Sequence, residues 1–206
     1  TYFFARANRL DFGPSRGGAR MSWDLDGRWG TDDHRLVART EGTILRGRGK
    51  ESEAQLLYSR PIDEFWDIEF GLRHTFSPAA RSHAALALRG TLPGFIEAEA
   101  ALFVGQTGQA SARIKAEADI AWTPTLISRP MIELSAYASD DSRMETRAGI
   151  GRLRAAAQTR YQLTRTLAPY VELGWEKDVG RTGALARARD ERGENTYAVA
   201  GVRLLY

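Results

Sequence analysis

The chain has 206 residues, a formal net charge of +3 and no cysteine. The lack of cysteine excludes disulfide bonds, thiolate metal sites and cysteine nucleophiles. Arginine is spread along the chain and not gathered on one arm, which argues against nucleic acid as a partner. No run of about 18 apolar residues is present, so the sequence predicts no transmembrane helix.

Apolar and polar residues alternate along most of the chain, and this period of two predicts β-strands. No segment keeps a helical period over three turns, and nothing in the composition resembles a linker. We therefore predict a single domain over residues 1–206 with about twelve strands. Their approximate bounds are 1–12, 19–30, 34–46, 51–60, 64–76, 81–92, 94–104, 109–122, 125–138, 150–163, 168–178 and 194–206.

The alternation is clear in the predicted strand 109–122, where Ile114, Ile120 and Trp122 share one face with alanines. The predicted strands are mostly ten residues or longer, against a usual length of about five or six. A tilted strand that spans a membrane needs about 9–11 residues. The apolar faces are also rich in alanine and glycine, and a packed soluble core requires bulkier residues. The pattern favours an all-β, transmembrane, antiparallel up-and-down β-barrel over a soluble sandwich or barrel.

Turn lengths suggest how this barrel is oriented. Short turns follow the predicted strands two, four, six, eight and ten, and the longest gaps, roughly 139–149 and 179–193, follow strands nine and eleven. Short periplasmic turns and longer external loops are typical of outer-membrane barrels. With the N-terminus on the periplasmic side, aromatic side chains of the apolar face fall near the two membrane interfaces. They are Trp29, Trp66, Trp122 and Tyr206 at the periplasmic rim, and Trp23 and Trp175 towards the other rim.

The polar faces of the strands then line the lumen. Acids and bases are similar in number, so they can pair across a narrow barrel and obstruct it. Acidic pairs at a spacing of two have two open interpretations, a track that attracts cations and a set of salt bridges. The predicted lumen network is Asp24, Asp26, Glu41, Glu53, Asp67, Glu69, Arg73, Glu97, Glu99, Arg113, Lys115, Glu117, Asp119, Arg129, Glu133, Arg160, Glu172 and Glu176.

Several long blocks occur in a fixed order: WDLDGRWGTDDHRLVARTEG (23–42), AQLLYSRPIDEFWDIEFGLRHTF (54–76), FIEAEAALFVGQTGQASARIKAEADI (95–120), RPMIELSAYASDD (129–141), APYVELGWEKDVGRT (168–182) and the closing AVAGVRLLY. Together they resemble the bacterial copper resistance protein B family. The resemblance implies a barrel in the outer membrane of a Gram-negative bacterium that binds or passes copper ions. Its implied partners are the lipid bilayer, copper ions and periplasmic copper-handling proteins. Family members often carry a methionine- and histidine-rich segment before the barrel, and we expect that segment to be absent from this chain.

Copper(I) favours thioether and imidazole ligands, and copper(II) favours imidazole and carboxylate. His83 and Met131 have the parity of the lumen face, so a site that combines them with Glu97 or Glu133 is one hypothesis. The alternative is a histidine bonded to a lumen carboxylate and a methionine that fills space. His34, beside two aspartates in a turn, is a second metal candidate, with an ordinary solvated turn as the alternative.

Two other classes of function stay open. An outer-membrane phospholipase is also a twelve-stranded barrel, and it needs a serine and a histidine on the outer surface. His74 has that parity, but the sequence offers no evident serine partner and no G-x-S-x-G motif, so we expect no catalytic residues. A purely structural or adhesive barrel is the third class.

Overall fold

The computed structural model describes residues 1–106, 108–141, 143–188 and 193–205. Each strand pairs antiparallel with the next along the chain, except that β8 and β9 both pair with β10, and β13 returns to β1, so the sheet closes. The predicted fold class, an all-β up-and-down barrel with twelve spanning strands, is confirmed. The elements are β1 (Tyr2–Ser15), β2 (Gly18–Gly30), β3 (Arg35–Leu45), β4 (Arg48–Pro61), β5 (Trp66–Ser77), β6 (Arg81–Leu92), β7 (Ile96–Gly105), β8 (Ala110–Ala118), β9 (Ile120–Ala121), β10 (Leu126–Tyr137), β11 (Gly149–Tyr161), β12 (Leu167–Asp178), α1 (Gly180–Ala188) and β13 (Glu194–Leu205).

The predicted strand 109–122 is divided into β8 and β9, with Asp119 between them. The cause lies on β10, where the register places Pro130 opposite Ala118. The Ala138 N–H donates to the carbonyl of Ala110 at 2.8 Å, so even-numbered residues of β10 direct their backbone groups towards β8. Pro130 has no N–H to donate there, and the ladder stops for two residues.

The two rims differ in the lengths of their connections. The first rim, here the terminal rim, carries the start of β1, the end of β13 and the turns 31–34, 62–65, 93–95, 122–125 and 162–166. The opposite rim, here the loop rim, carries the two longest connections, 138–148 and 179–193, as the sequence predicts. It also carries the two-residue turns Arg16–Gly17 and Arg46–Gly47, which are shorter than any turn of the terminal rim. Arg46 and Gly47 both have positive φ, as a tight hairpin turn requires.

The connection after β12 contains the helix α1, which the sequence pattern did not predict. It packs beside β11, and Thr182 links it to the loop 138–148. The Arg147 N–H donates to Thr182 Oγ1 at 2.9 Å. At nine residues the helix gives too few turns for a 3.6 period to be recognised. Among the described residues, no helix is long and apolar enough to cross a bilayer.

Side chains alternate between the outer surface and the lumen. In β8, Ile114 points outward and is 56% exposed, whereas Arg113 and Lys115 on either side face the lumen. The lumen also holds an apolar cluster on the β3–β7 wall, made of Val37, Leu57, Ala85, Ala87, Ala101 and Phe103. Charged and polar groups line most of the remaining interior.

Candidate functional site: the charged lumen

A cavity of about 1120 Å³ occupies the loop-rim part of the lumen. It begins among loop-rim residues such as Arg16, Arg46 and Met144, and it descends to a floor. The floor is formed by Asp26, Arg39, Arg89, Arg129 and Arg203. The cavity does not reach lumen residues nearer the terminal rim, such as Asp67, Asp119 and Arg160. The lumen is therefore wide at one end and filled with side chains at the other.

Arg129 is the centre of the charged contacts at the floor. Its Nε donates to Asp119 at 2.6 Å, its Nη1 to Glu117 at 3.2 Å and its Nη2 to Glu97 at 3.1 Å. Arg160 holds the same Asp119 with both terminal nitrogens, at 3.0 and 2.5 Å. The interruption between β8 and β9 thus coincides with a carboxylate shared by two guanidinium groups.

Other ion pairs reach across the lumen from wall to wall. Arg113 of β8 contacts Glu41 of β3 at 2.5 Å and Glu53 of β4 at 2.7 Å. Arg73 donates to Glu53 through Nε at 2.8 Å, and its guanidinium lies 4.2 Å from the centre of the Phe103 ring. Such contacts narrow the passage because both partners extend inward.

A second set of pairs lies on the wall towards the terminal rim. Arg39 contacts Glu69 at 2.7 Å and Glu99 at 3.6 Å. Glu69 is fully buried, so this pairing offsets the cost of removing its charge from water. Arg35 contacts Asp67 at 2.5 Å.

The wall formed by β12 carries two further carboxylates. Glu172 accepts from Arg9 at 2.7 Å and from the Tyr197 hydroxyl at 3.0 Å. Glu176 accepts from Arg20 at 3.0 Å and from Lys50 at 2.5 Å. The partners come from β1, β2, β4 and β13, so β12 is held to several other strands at once.

Most predicted lumen residues are thus brought into ion pairs, and in the described chain only Asp24 and Glu133 of that set are not. Asp26 accepts from Arg6 at 2.8 Å, and Asp24 accepts from the Asn8 amide at 3.2 Å. Lys115 lies 3.3 Å from Glu117. Within the described part of the chain, Glu133 has no hydrogen bond or ion pair, although it lines the cavity opposite Lys115.

The structure does not bring His83 and Met131 together. Following the register from β10 through β8 and β7, Met131 is level with Thr91 of β6, eight residues from His83. At about 3.3 Å per residue this separates them by about 26 Å along the strands. A shared ion is therefore excluded. His83 is 8% exposed, lies against Gly105 and has an unpartnered Nδ1, while Met131 lines the cavity.

His34 lies in the terminal-rim turn, as the sequence predicts. Its ring nitrogen Nδ1 bonds to the hydroxyl of Tyr58 on β4, and its backbone N–H donates to Thr31 Oγ1 at 3.2 Å. The neighbouring Asp32 and Asp33 are exposed. Within the described residues, no group of three or more histidine, aspartate or glutamate side chains is arranged to hold a metal ion.

Of the predicted interface aromatics, Trp29, Trp66 and Trp122 lie at the terminal rim and face outward. Trp122 is 66% exposed, and its indole N–H donates to Ser128 at 2.9 Å. Trp175 lies near the loop-rim end of β12 and donates to Glu194 at 3.0 Å. Trp23 lies in the loop-rim half of β2, five residues from Gly18, and packs over Gly42. Tyr206 lies outside the described residues.

The structure supplies the serine that the sequence did not reveal. Ser82 of β6 lies outward beside His74 of β5, with Oγ 2.9 Å from the histidine Nδ1. Antiparallel pairing of β5 with β6 brings together His74 and Ser82, which are eight residues apart in the chain. A short sequence motif does not show this contact. No carboxylate or amide contacts the His74 ring in the described residues; its other ring contact is Phe76, at 4.7 Å.

Other lumen residues were also missed, above all Arg9, Arg20 and Tyr197. Arg20 is almost fully buried and lies 4.0 Å from the centre of the Tyr197 ring. Arg20 has the same parity in β2 as Asp24, so the alternation along the strand was sufficient to predict that it faces the lumen. Arg9 follows a β-bulge between Ala7 and Arg9 that shifts the alternation in β1, so parity counted along the chain fails there.

Comparison with known proteins now adds to this geometry. The family model described as Copper resistance protein B precursor (CopB) matches residues 1–206. The chain belongs to the copper resistance protein B family. It is 33% identical over 207 residues to the copper resistance protein B homolog of Pseudomonas syringae pv. tomato, covering all of this chain and 70% of that protein. It is 30% identical over 200 residues to copper resistance protein B of Escherichia coli, covering 97% of this chain and 68% of the relative.

Solved structures support the fold. A NanC porin structure aligns with a TM-score of 0.63 at 16% identity, covering 98% of this chain and 99% of that one. A KdgM porin structure aligns with a TM-score of 0.56 at 11% identity, covering 98% of both chains. At these identities the likeness concerns the barrel alone. The copper resistance barrel described here therefore has a porin-like fold whose lumen is crossed by ion pairs.

Proposed function

We propose that this barrel lies in the outer membrane and serves copper resistance by admitting copper ions into its lumen. The proposal places the loop rim outside the cell and the terminal rim in the periplasm, where copper-handling proteins would meet it. Membership of the family supports the link to copper resistance, and the outward apolar surface is suited to contact with lipid.

One observation supports the lumen as the place of contact with copper. Met131 and Met144 both line the cavity, and carboxylates surround them. Met131 stands opposite Glu117 of β8 and two residues from Glu133, which lacks an ion-pair partner in the described chain. Thioether sulfur suits copper(I), and carboxylate suits copper(II). With so few ligands, we propose weak, exchangeable binding, as passage requires.

Purified, refolded barrel would test this proposal. In equilibrium dialysis, with copper measured by atomic absorption, we expect the barrel to bind copper, and we expect less of it to bind to Met131→Leu and Glu133→Gln. Met21→Leu is the matched control, because Met21 lies on the outer surface and is 48% exposed. Equal copper content in all four proteins would show that the lumen residues do not hold copper. In cells, Met131→Leu and Glu133→Gln at equal barrel levels should raise copper sensitivity, and Met21→Leu should not.

A further inference from the structure

At the floor of the lumen, arginines that are paired with carboxylates stand beside one arginine that, within the described chain, is not. Arg6, Arg129, Arg160 and Arg203 meet there. Asp119 is already held by Arg129 and Arg160. Asp26 is likewise occupied, by Arg6 at 2.8 Å and by Arg28 at 3.3 Å.

Arg203 is the group that remains without a partner. It points into the lumen from β13 and lines the cavity, so a solute in the cavity can reach it. Within the described residues it makes no hydrogen bond and no ion pair. The charges that act on it most strongly are the other arginines, Arg129, Arg160 and Arg6, followed by Asp119.

Without a ligand, the unpaired guanidinium group of Arg203 costs free energy. A guanidinium group offers five N–H donors in a planar fork, and partial removal from water leaves those donors unsatisfied. Like charges nearby add repulsion, which water in a narrow lumen screens less than bulk solvent does. Carboxylate or phosphate oxygens would accept from the fork and offset the unpaired charge of Arg203.

We propose that Arg203, together with Arg129 and Arg160, forms an anion-binding site at the floor of the lumen that takes small carboxylate- or phosphate-bearing solutes. The site makes the passage selective for anions. It adjoins the copper contacts proposed around Met131, which is two residues from Arg129 on the same face of β10, but it differs from them in its ligand and in its main residue, Arg203.

Reversal potentials in planar bilayers test the selectivity directly. Across a gradient of potassium chloride, the wild-type barrel should favour chloride over potassium, and Arg203→Gln should shift the reversal potential towards that of an unselective pore. Arg203→Lys keeps the charge and should retain the preference. Arg165→Gln is the matched control, since Arg165 lies in an exposed turn of the terminal rim, outside the lumen.

If the barrel carries no current, phosphate binding tests the proposed anion site. Inorganic phosphate should raise the unfolding temperature of the detergent-solubilised wild type above that in chloride at equal ionic strength, and this shift should be lost in Arg203→Gln. Heat-modifiable migration on gels confirms that each variant is folded. A cation-selective wild type, unchanged selectivity in Arg203→Gln, or an equal phosphate shift in both proteins would overturn the proposal. None of these measurements involves copper, so they fail or succeed independently of the copper assays.

Discussion

The Nε atom of Arg129 lies 2.6 Å from Oδ1 of Asp119, at the residue where the β8 ladder is interrupted. A gap in the hydrogen-bonded wall and the densest ion-pair cluster of the floor therefore share one position. Because Arg129 also holds Glu97 and Glu117, it ties two strands of the wall to the side chains that close the lumen.

Replacing Arg129 tests its role in closing the floor. We expect Arg129→Ala to increase single-channel conductance, because three carboxylates lose the group that draws them together. It should also lower the free energy of unfolding by about 1–3 kcal/mol, since Asp119 and Glu97 are partly exposed and only Glu117 is well buried. Bilayer recordings and urea unfolding measure the two effects. Conductance equal to that of the wild type would place the constriction elsewhere.

Pro130 offers a test of the strand break. In Pro130→Val, an N–H becomes available opposite Ala118, and β8 and β9 should join into one strand. One recovered backbone hydrogen bond should stabilise the barrel by about 0.5–1.5 kcal/mol. A higher urea midpoint at an unchanged slope would show this. A lower midpoint would mean that the break relieves strain in the wall.

Asp140 links the loop 138–148 to its surroundings on the loop rim. The backbone N–H of Ala148 and the side chain of Arg147 hold the pKa of the Asp140 carboxyl below its ordinary value of 3.8. Because the pKa is lower in the folded protein, the ionised carboxylate of Asp140 stabilises the loop fully at pH values above its ordinary pKa. That stabilisation is lost as the pH falls through the lowered pKa. Amide exchange at Ala148, corrected for the intrinsic rate, should stay slow from neutral pH to about pH 5 and become faster in stronger acid.

The matched variant for this loop is Asp140→Asn, which should speed exchange at Ala148 already at neutral pH. Exchange at Ala138, which bonds to β8, serves as the internal reference. Equal protection of Ala148 in the variant would show that Asp140 does not order the loop.

We expect no hydrolytic activity from His74 and Ser82, although the two side chains are in contact. A serine nucleophile needs a histidine that a third group orients and donors that stabilise the oxyanion. Here Phe76 occupies the neighbourhood of the imidazole ring, and no orienting carboxylate contacts it in the described chain. We expect detergent-solubilised barrel to release no fatty acid from phospholipid, with Ser82→Ala as the background. Hydrolysis that Ser82→Ala abolishes would establish the enzyme class.

Alternation along the chain was enough to predict the barrel and most of its inward charges. Arg113, Glu117 and Asp119 were placed correctly in the lumen because the period of two needs only local sequence. The same reasoning failed in β1, where a bulge shifts the parity, and at Pro130, whose effect falls on a neighbouring strand. It also failed for α1, which is too short to reveal a helical period.

Pairing partners are a different matter. Arg113 and Glu41 lie 72 residues apart in the chain and 2.5 Å apart in space, and no spacing rule joins them. The sequence by itself determined which face of each strand is polar, because that depends on the backbone period alone. Closure of the sheet decided which charges meet, which carboxylates are occupied and that Arg203 is left over, because ion-pair geometry depends on register and on the width of the barrel.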